Sequence, residues 1–159
     1  MKNLSKKKQL LQINFYLNQL LPQHDAVMQN QLDYWATPKE FLTTGYGDCE
    51  DYAIIKYFSL IKLGFDEKKL FITVVKEKYS GAYHMVLSYF LFKNRSPLIL
   101  DNLSFKILPL KKRVDLKVDS FINSHGVFQL KRGKLIKVAK HSYNYLKLKR
   151  KIRKELKLF

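Results

Sequence analysis

The chain has 159 residues, 47% of them hydrophobic and 14% aromatic. That is enough apolar material for one domain around one core, and too much for a disordered polymer. The formal charge is +17, and the segment 131–159 holds twelve Lys/Arg against one acid, Glu155; such a segment suits an anionic surface or an acidic partner, or serves as a solvated basic helix.

Leu10, Leu11, Ile13, Phe15, Leu17, Leu20 and Leu21 predict a helix that ends before Pro22. Gln9, Gln12, Asn14 and Asn18 interrupt this stretch, so it reads as a folded helix and not as an export signal. No stretch is apolar enough to span a membrane, and one cysteine excludes an internal disulfide. Thr37-Pro38-Lys39-Glu40 reads as a helix start, with threonine as N-cap, proline at the first position and glutamate completing a capping box. Gly45 and Gly47 keep that helix short. A further helix begins near Asp48, puts Ala53, Ile54, Tyr57, Phe58 and Ile61 on one face, and ends at Gly64.

The pattern then changes period. Residues 70–76 are β-branched and aromatic, Ser80-Gly81 marks a turn, and strands follow at 83–92 and 98–101 around a loop at 93–97. Residues 105–110 and 126–130 supply two more strand candidates. Tyr145, Leu148, Ile152 and Leu156 recur at helical spacing among lysines and arginines, so the basic segment 131–159 is expected to be helical. The layout is α+β, with N-terminal helices packed on an antiparallel sheet in a single domain covering 1–159.

The only cysteine, Cys49, lies in Gly47-Asp48-Cys49-Glu50-Asp51, immediately before an apolar helical pattern. A helix N-terminus carries unpaired N–H groups and partial positive charge, which favour a thiolate and can hold an oxyanion. His84 and Asp101 follow at strand positions, so the chain carries, in order, a thiol, an imidazole and a carboxylate to orient it. Direct opposition of His84 and Asp101 in a hairpin requires a midpoint between Phe92 and Lys93, whereas the turn composition centres nearer Arg95; an asymmetric loop or bulge must absorb the offset. Each residue also has a plainer reading: a small buried hydrophobe, a hydrogen-bonded core histidine, and turn chemistry at Asp101-Asn102. His24, His125 and His141 have no partner pattern and read as surface residues.

These residues resemble a family. Asp33-Tyr34-Trp35-Ala36-Thr37-Pro38-Lys39-Glu40-Phe41-Leu42, Gly47-Asp48-Cys49-Glu50-Asp51-Tyr52-Ala53-Ile54, Lys56-Tyr57-Phe58, His84-Met85-Val86-Leu87 and Pro97-Leu98-Ile99-Leu100-Asp101-Asn102-Leu103 are similar to the bacterial transglutaminase-like cysteine proteinases of the LapG type, over roughly residues 9–130. The resemblance implies a papain/transglutaminase-like fold and a Cys49-His84-Asp101 triad. It implies a calcium-dependent periplasmic protease that clips the N-terminal retention region of a large surface adhesin and releases biofilm cells. It also implies sequestration by an inner-membrane cyclic di-GMP receptor of the LapD type. Calcium would be held by Asp48 and Glu50, with Asp51 as a weaker candidate. The same acids suit the first turn of a helix as caps. In this reading the Cys49 backbone N–H contributes to an oxyanion hole, and Trp35 either lines the cleft or belongs to the core.

Two other functions remain open on the residues alone. One is a different acyl transfer at the same thiol, by a transglutaminase or amidase. The other is a non-catalytic binding module with a basic tail on nucleic acid or an anionic membrane. That tail has no stacking or base-reading motif, so no specific nucleic acid is expected.

Overall fold

The computed structural model describes residues 4–20, 35–44 and 47–157. Its helices are α1 (Lys6–Leu20), α2 (Pro38–Thr44), α3 (Cys49–Lys62) and α4 (Tyr143–Lys157). Its strands are β1 (Leu70–Glu77), β2 (Tyr83–Tyr89), β3 (Leu98–Leu100), β4 (Leu108–Pro109), β5 (Leu116–Asn123), β6 (Gly126–Lys131) and β7 (Lys134–Ala139). All seven form one antiparallel sheet in the order β4-β3-β2-β1-β5-β6-β7. Gly45 and His24 lie outside the described residues.

Each helix end follows from local chemistry. At the start of α2 the Glu40 N–H donates to Thr37 Oγ1 (3.1 Å) and the Thr37 N–H to Glu40 Oε1 (3.2 Å), a reciprocal capping box. At the end of α3, Gly64 takes a φ of +94°, its N–H donates to the Ile61 carbonyl, and the Phe65 N–H donates to the Leu60 carbonyl. That is a Schellman motif, and a side chain at the glycine position would be strained.

α3 is the centre of the molecule. Tyr52, Ala53, Ile54, Ile55, Tyr57 and Leu60 are all buried, because β1 and β2 lie on one side of the helix and α1 and α2 on another. Along β2 the alternation is clean: Met85, Leu87 and Tyr89 join the core beneath α3, while Val86 packs with Val75, Ile99 and Leu116 on the opposite face.

α1 buries an unusual stripe. Leu10 is inside, but so are Gln9, Asn14 and Asn18, whereas Leu11 and Phe15 face outward. Asn14 and Asn18 point inward because they have buried partners, described below.

Several strand boundaries differ from those the sequence suggests. The 83–92 strand stops at Tyr89, and Asn94 turns the chain with a φ of +66°. The 98–101 strand ends at Leu100, and the 105–110 candidate is reduced to Leu108–Pro109. β5 has no counterpart among the sequence-based expectations. The segment 131–159 is not helical throughout: it contains β7, and α4 begins only at Tyr143. β7 is the outer strand, and its exposed Lys134 and Lys137 guard an unpaired edge while also lending the segment its tail-like composition.

α4 folds back over α3. Tyr145 and Leu148 are buried, and the hydroxyls of Tyr57 (2.8 Å) and Tyr145 (3.3 Å) both donate to Glu67 Oε1. Further along α4, Lys151 Nζ donates to the Trp35 carbonyl (3.0 Å) and pairs with Glu40 (3.2 Å), and Thr37 Oγ1 donates to Glu155 Oε1. Leu148→Ala is expected to cost about 2–5 kcal/mol of folding free energy, the usual range for a leucine deleted from a packed site, read from the urea midpoint.

Candidate active site

Every residue of Gly47-Asp48-Cys49-Glu50-Asp51 has a local task. Asp48 is the N-cap of α3 and forms a capping box with Asp51, whose Oδ2 accepts the Asp48 N–H at 3.0 Å. The Asp51 carboxylate also takes the Ala36 N–H, so it ties the approach to α2 onto the start of α3. Gly47 leaves room for this: a Cβ there would collide with the Phe41 ring and with Asp51 Oδ2.

Cys49 is therefore the first residue of a buried helix, where the peptide dipoles point their positive end at it. Its sulfur donates to Glu50 Oε2 at 3.5 Å and faces the backbone N–H of Met85, the residue after His84. Burial pushes the thiol well above its usual pKa; the Glu50 charge and hydrogen bond and the Asp48 charge add to this, and the Met85 N–H opposes it. Glu50 is itself buried, and its carboxyl is pushed up to about 8, first by burial and then by the charges of Asp51 and Asp48, against the pull of its own N–H and the thiol. The resting site thus holds a protonated thiol bonded to a carboxyl group.

His84 and Asp101 meet directly, with Nε2 2.8 Å from Oδ1. The hairpin register resolves the offset noted in the sequence. Leu87 pairs with Leu100, Ser88 with Ile99 and Tyr89 with Leu98, so the hairpin is symmetric about the bond between Lys93 and Asn94. Continued past β3, this register sets Asp101 opposite Val86, two residues along from His84 and on the same face. The pair is diagonal, a separation that a histidine side chain spans. A carboxylate only accepts, so Nε2 carries the proton and Nδ1 is left as the basic nitrogen.

Asp101 is 1% exposed, and burial alone would raise its pKa. The hydrogen bond to His84 and its charge, the Leu103 N–H (3.1 Å to Oδ1) and Arg113 Nη2 (3.0 Å to Oδ2) outweigh that and hold it at about 2. Arg113 is fixed in turn by two hydrogen bonds to Asp115, at 3.1 and 3.0 Å.

The backbone of this turn is anchored from α1. Asn18 Nδ2 donates to the carbonyls of Asp101 (2.9 Å) and Ser104 (3.0 Å), and Asn14 Nδ2 to those of Ser104 (2.9 Å) and Phe105 (3.3 Å). Lys56 Nζ, fully buried in α3, donates to Asn14 Oδ1 (2.9 Å) and Asn18 Oδ1 (2.6 Å). Burial draws the Lys56 ammonium down to about 7, with the Asp101 charge opposing. Sequence reasoning does not assign Arg113, Asn14, Asn18 or Lys56 to the site. The available signal is two asparagines four residues apart on a helix otherwise rich in leucine.

Trp35 belongs to the core, 4% exposed, and His125 and His141 are exposed. Among the described residues no three His, Cys, Asp or Glu side chains converge as a metal cage.

Gly47→Ala is expected to displace Phe41 or break the Asp48–Asp51 box, lowering both the melting temperature and thiol reactivity toward iodoacetamide; an unchanged rate with an unchanged melt would refute the steric argument. The acid limb of stability gives a second check. Asp101 titrates lower in the folded chain than its ordinary 3.8, so its contribution is present above about pH 4 and disappears as pH falls toward 2. The loss amounts to about 2 kcal/mol, and Asp101→Asn should flatten the urea-midpoint profile in that window.

The model for the family described as bacterial transglutaminase-like cysteine proteinase (BTLCP) matches residues 2–115. Legionella pneumophila LapG in calcium-bound form is 34% identical, with a TM-score of 0.84 over 94% of this chain and 82% of that one. The EGTA-treated form is 36% identical, with a TM-score of 0.84 over 94% and 81%. A further Legionella pneumophila LapG structure is 40% identical, with a TM-score of 0.73 over 79% and 68%. No curated protein sequence matches the chain. With its helices on an antiparallel sheet and a family match over most of its length, the chain belongs to the bacterial transglutaminase-like cysteine proteinases, and it is a cysteine protease with an α+β transglutaminase-like fold.

Proposed function

We propose that the chain is a single catalytic domain acting as a calcium-dependent cysteine endopeptidase, with Cys49 as nucleophile, His84 as general base and acid, and Asp101 as the group that orients His84. The observation that carries this reading is the 2.8 Å His84–Asp101 pair, next along β2 from the amide that faces the Cys49 sulfur. With Nε2 committed to Asp101, Nδ1 receives the Cys49 proton as the thiol turns away from Glu50. The thiolate then attacks the scissile carbonyl, and the Cys49 backbone N–H, at the helix start, donates to the oxyanion. The imidazolium, steadied by Asp101, returns its proton to the leaving amine, and water releases the acyl group.

The donor set beside the thiol fits a hard cation. Asp48 and Glu50 present carboxylate oxygens, and burial with neighbouring acids already disfavours the Glu50 charge. Asp51 accepts two amides, those of Asp48 and Ala36, whereas Asp48 accepts that of Asp51, so Asp48 and Glu50 are the ligands we assign, completed by backbone carbonyls or water. A bound Ca²⁺ would neutralise the carboxylates that add to burial in holding Cys49 protonated. Likeness to a LapG solved in calcium-bound and EGTA-treated forms supports the choice.

The resemblance of the sequence motifs implies a large surface adhesin as substrate, cut in its N-terminal retention region to release biofilm cells. It further implies periplasmic action and control by an inner-membrane cyclic di-GMP receptor of the LapD type. The Lys147, Arg150, Arg153 and Lys154 side chains of α4 are exposed and suit contact with an anionic surface.

Incubation with the N-terminal segment of such an adhesin, followed by gel electrophoresis, tests the reading. Cys49→Ala is expected to abolish cleavage, with a loss of roughly 10⁴-fold or more, and His84→Ala to do nearly as much. EGTA should lower the rate at least about tenfold, with recovery on adding Ca²⁺ and not Mg²⁺. Cleavage that persists in Cys49→Ala would sink the proposal.

A further inference from the structure

The face of the sheet turned away from α3 carries a second feature. A cleft of about 1090 Å³ opens between the β6–β7 hairpin on one side and the 93–97 loop with Leu110 and Lys111 on the other. Its floor is apolar, with Phe71, Phe90, Leu130 and Leu135. Its rim is cationic, with Lys68, Lys69, Lys93, Arg95, Lys111 and Lys134 against the single acid Asp66. None of these six cations has an ion-pair partner among the described residues.

The cleft is distant from the thiol. Lys69 and Phe71 flank the start of β1, Phe90 follows β2, and Pro97 precedes β3, whereas His84 and Asp101 stand at the other end of the same strands. His84 and Phe90 are separated by six residues of β2 and its exit, about 20 Å of extended backbone. An extended chain in the catalytic cleft needs about six residues to reach the second one.

We propose that this cleft is an exosite that takes an acidic segment of the protein substrate carrying aromatic or aliphatic side chains. The proposal rests on the protease reading above for the identity of its ligand as substrate. The charge of the rim selects for acidic residues, and the floor selects for apolar ones between them. The geometry disfavours the other anionic macromolecules. Phe71 meets Phe90, Phe121 and Phe128 edge-to-face, at 5.6, 5.7 and 5.6 Å with interplanar angles of 83°, 76° and 78°. Rings packed against one another in this way present no row of open faces on which successive bases would stack. A floor recessed between two arms is also out of reach of a flat bilayer. A peptide inserts alternate side chains into such a trough and keeps its acids at the rim.

The test is a binding measurement on the full-length Cys49→Ala protein, which cannot cut the probe. Fluorescence anisotropy is followed with a labelled dodecapeptide of four Glu-Glu-Phe repeats, beside all-glutamate and Lys-Lys-Phe dodecapeptides, a thymidine dodecanucleotide and phosphatidylglycerol vesicles. Charge reversal at three rim positions, Lys93→Glu with Arg95→Glu and Lys111→Glu, is expected to raise the Kd for the Glu-Glu-Phe peptide at least about tenfold, with the circular dichroism spectrum and melt unchanged. The all-glutamate peptide should bind several-fold more weakly, and affinity should fall as salt rises from about 50 to about 200 mM. Equal binding by parent and rim variant overturns the proposal. So does tighter binding of oligonucleotide or vesicle that is lost in the same variant. No bond is cut in this assay, so a negative result leaves the protease reading intact, and a failed proteolysis assay leaves this result intact.

Discussion

Asp101 stays ionised although its carboxylate is almost entirely removed from water, and a charge in that position costs several kcal/mol unless other groups compensate. The compensation comes from three directions: His84 from β2, Arg113 from the turn before β5, and the Leu103 amide of its own loop; Asn18 of α1 holds the same residue by its main-chain carbonyl. The carboxylate thereby fixes the mutual position of the central hairpin and the chain leading into β5, and the main-chain carbonyl of the same residue adds the first helix. Remove the charge and Arg113 keeps only Asp115, while the imidazole loses the contact that sets its tautomer. The polar stripe on α1 follows from the same demand. Asn14 and Asn18 are buried because carbonyls of the 101–105 turn and the Lys56 ammonium need partners away from solvent.

Around the thiol the electrostatics work in opposition. The helix dipole and the Met85 amide favour a thiolate, while burial, Glu50 and Asp48 disfavour it more strongly. A cysteine held this way is a weaker nucleophile than its place at a helix start alone would make it. The acids at this turn are thus more than local structure: the residues that start α3 also set the charge around its first side chain.

Much of this is legible in the sequence, for identifiable reasons. Thr37-Pro38-Lys39-Glu40, Asp48-x-x-Asp51 and Gly64 are short-range signals whose hydrogen bonds close within a few residues, and they place three helix ends. The order of thiol, imidazole and carboxylate is readable because each falls at the edge of an element. The remainder depends on long-range pairing. Arg113 reaches Asp101 only because the chain after β4 doubles back, and Lys56 looks like one more solvated lysine until α1 covers it. β5 is hard to read although Leu116, Val118 and Ser120 alternate with Lys117 and Asp119, because those charged residues give it the composition of a loop. β7 merges with the basic tail because the lysines that protect an outer strand have the composition of a solvated terminus.

The clasp between α4 and the start of α2 has a consequence for biosynthesis. Lys151 and Glu155 hold Trp35 and Thr37, which precede the helix abutting the Cys49 turn. Synthesis runs from the N-terminus, so the thiol leaves the ribosome about a hundred residues before the side chains that complete its surroundings. A partly made chain therefore lacks the two side chains that tie the approach to α2 onto α4.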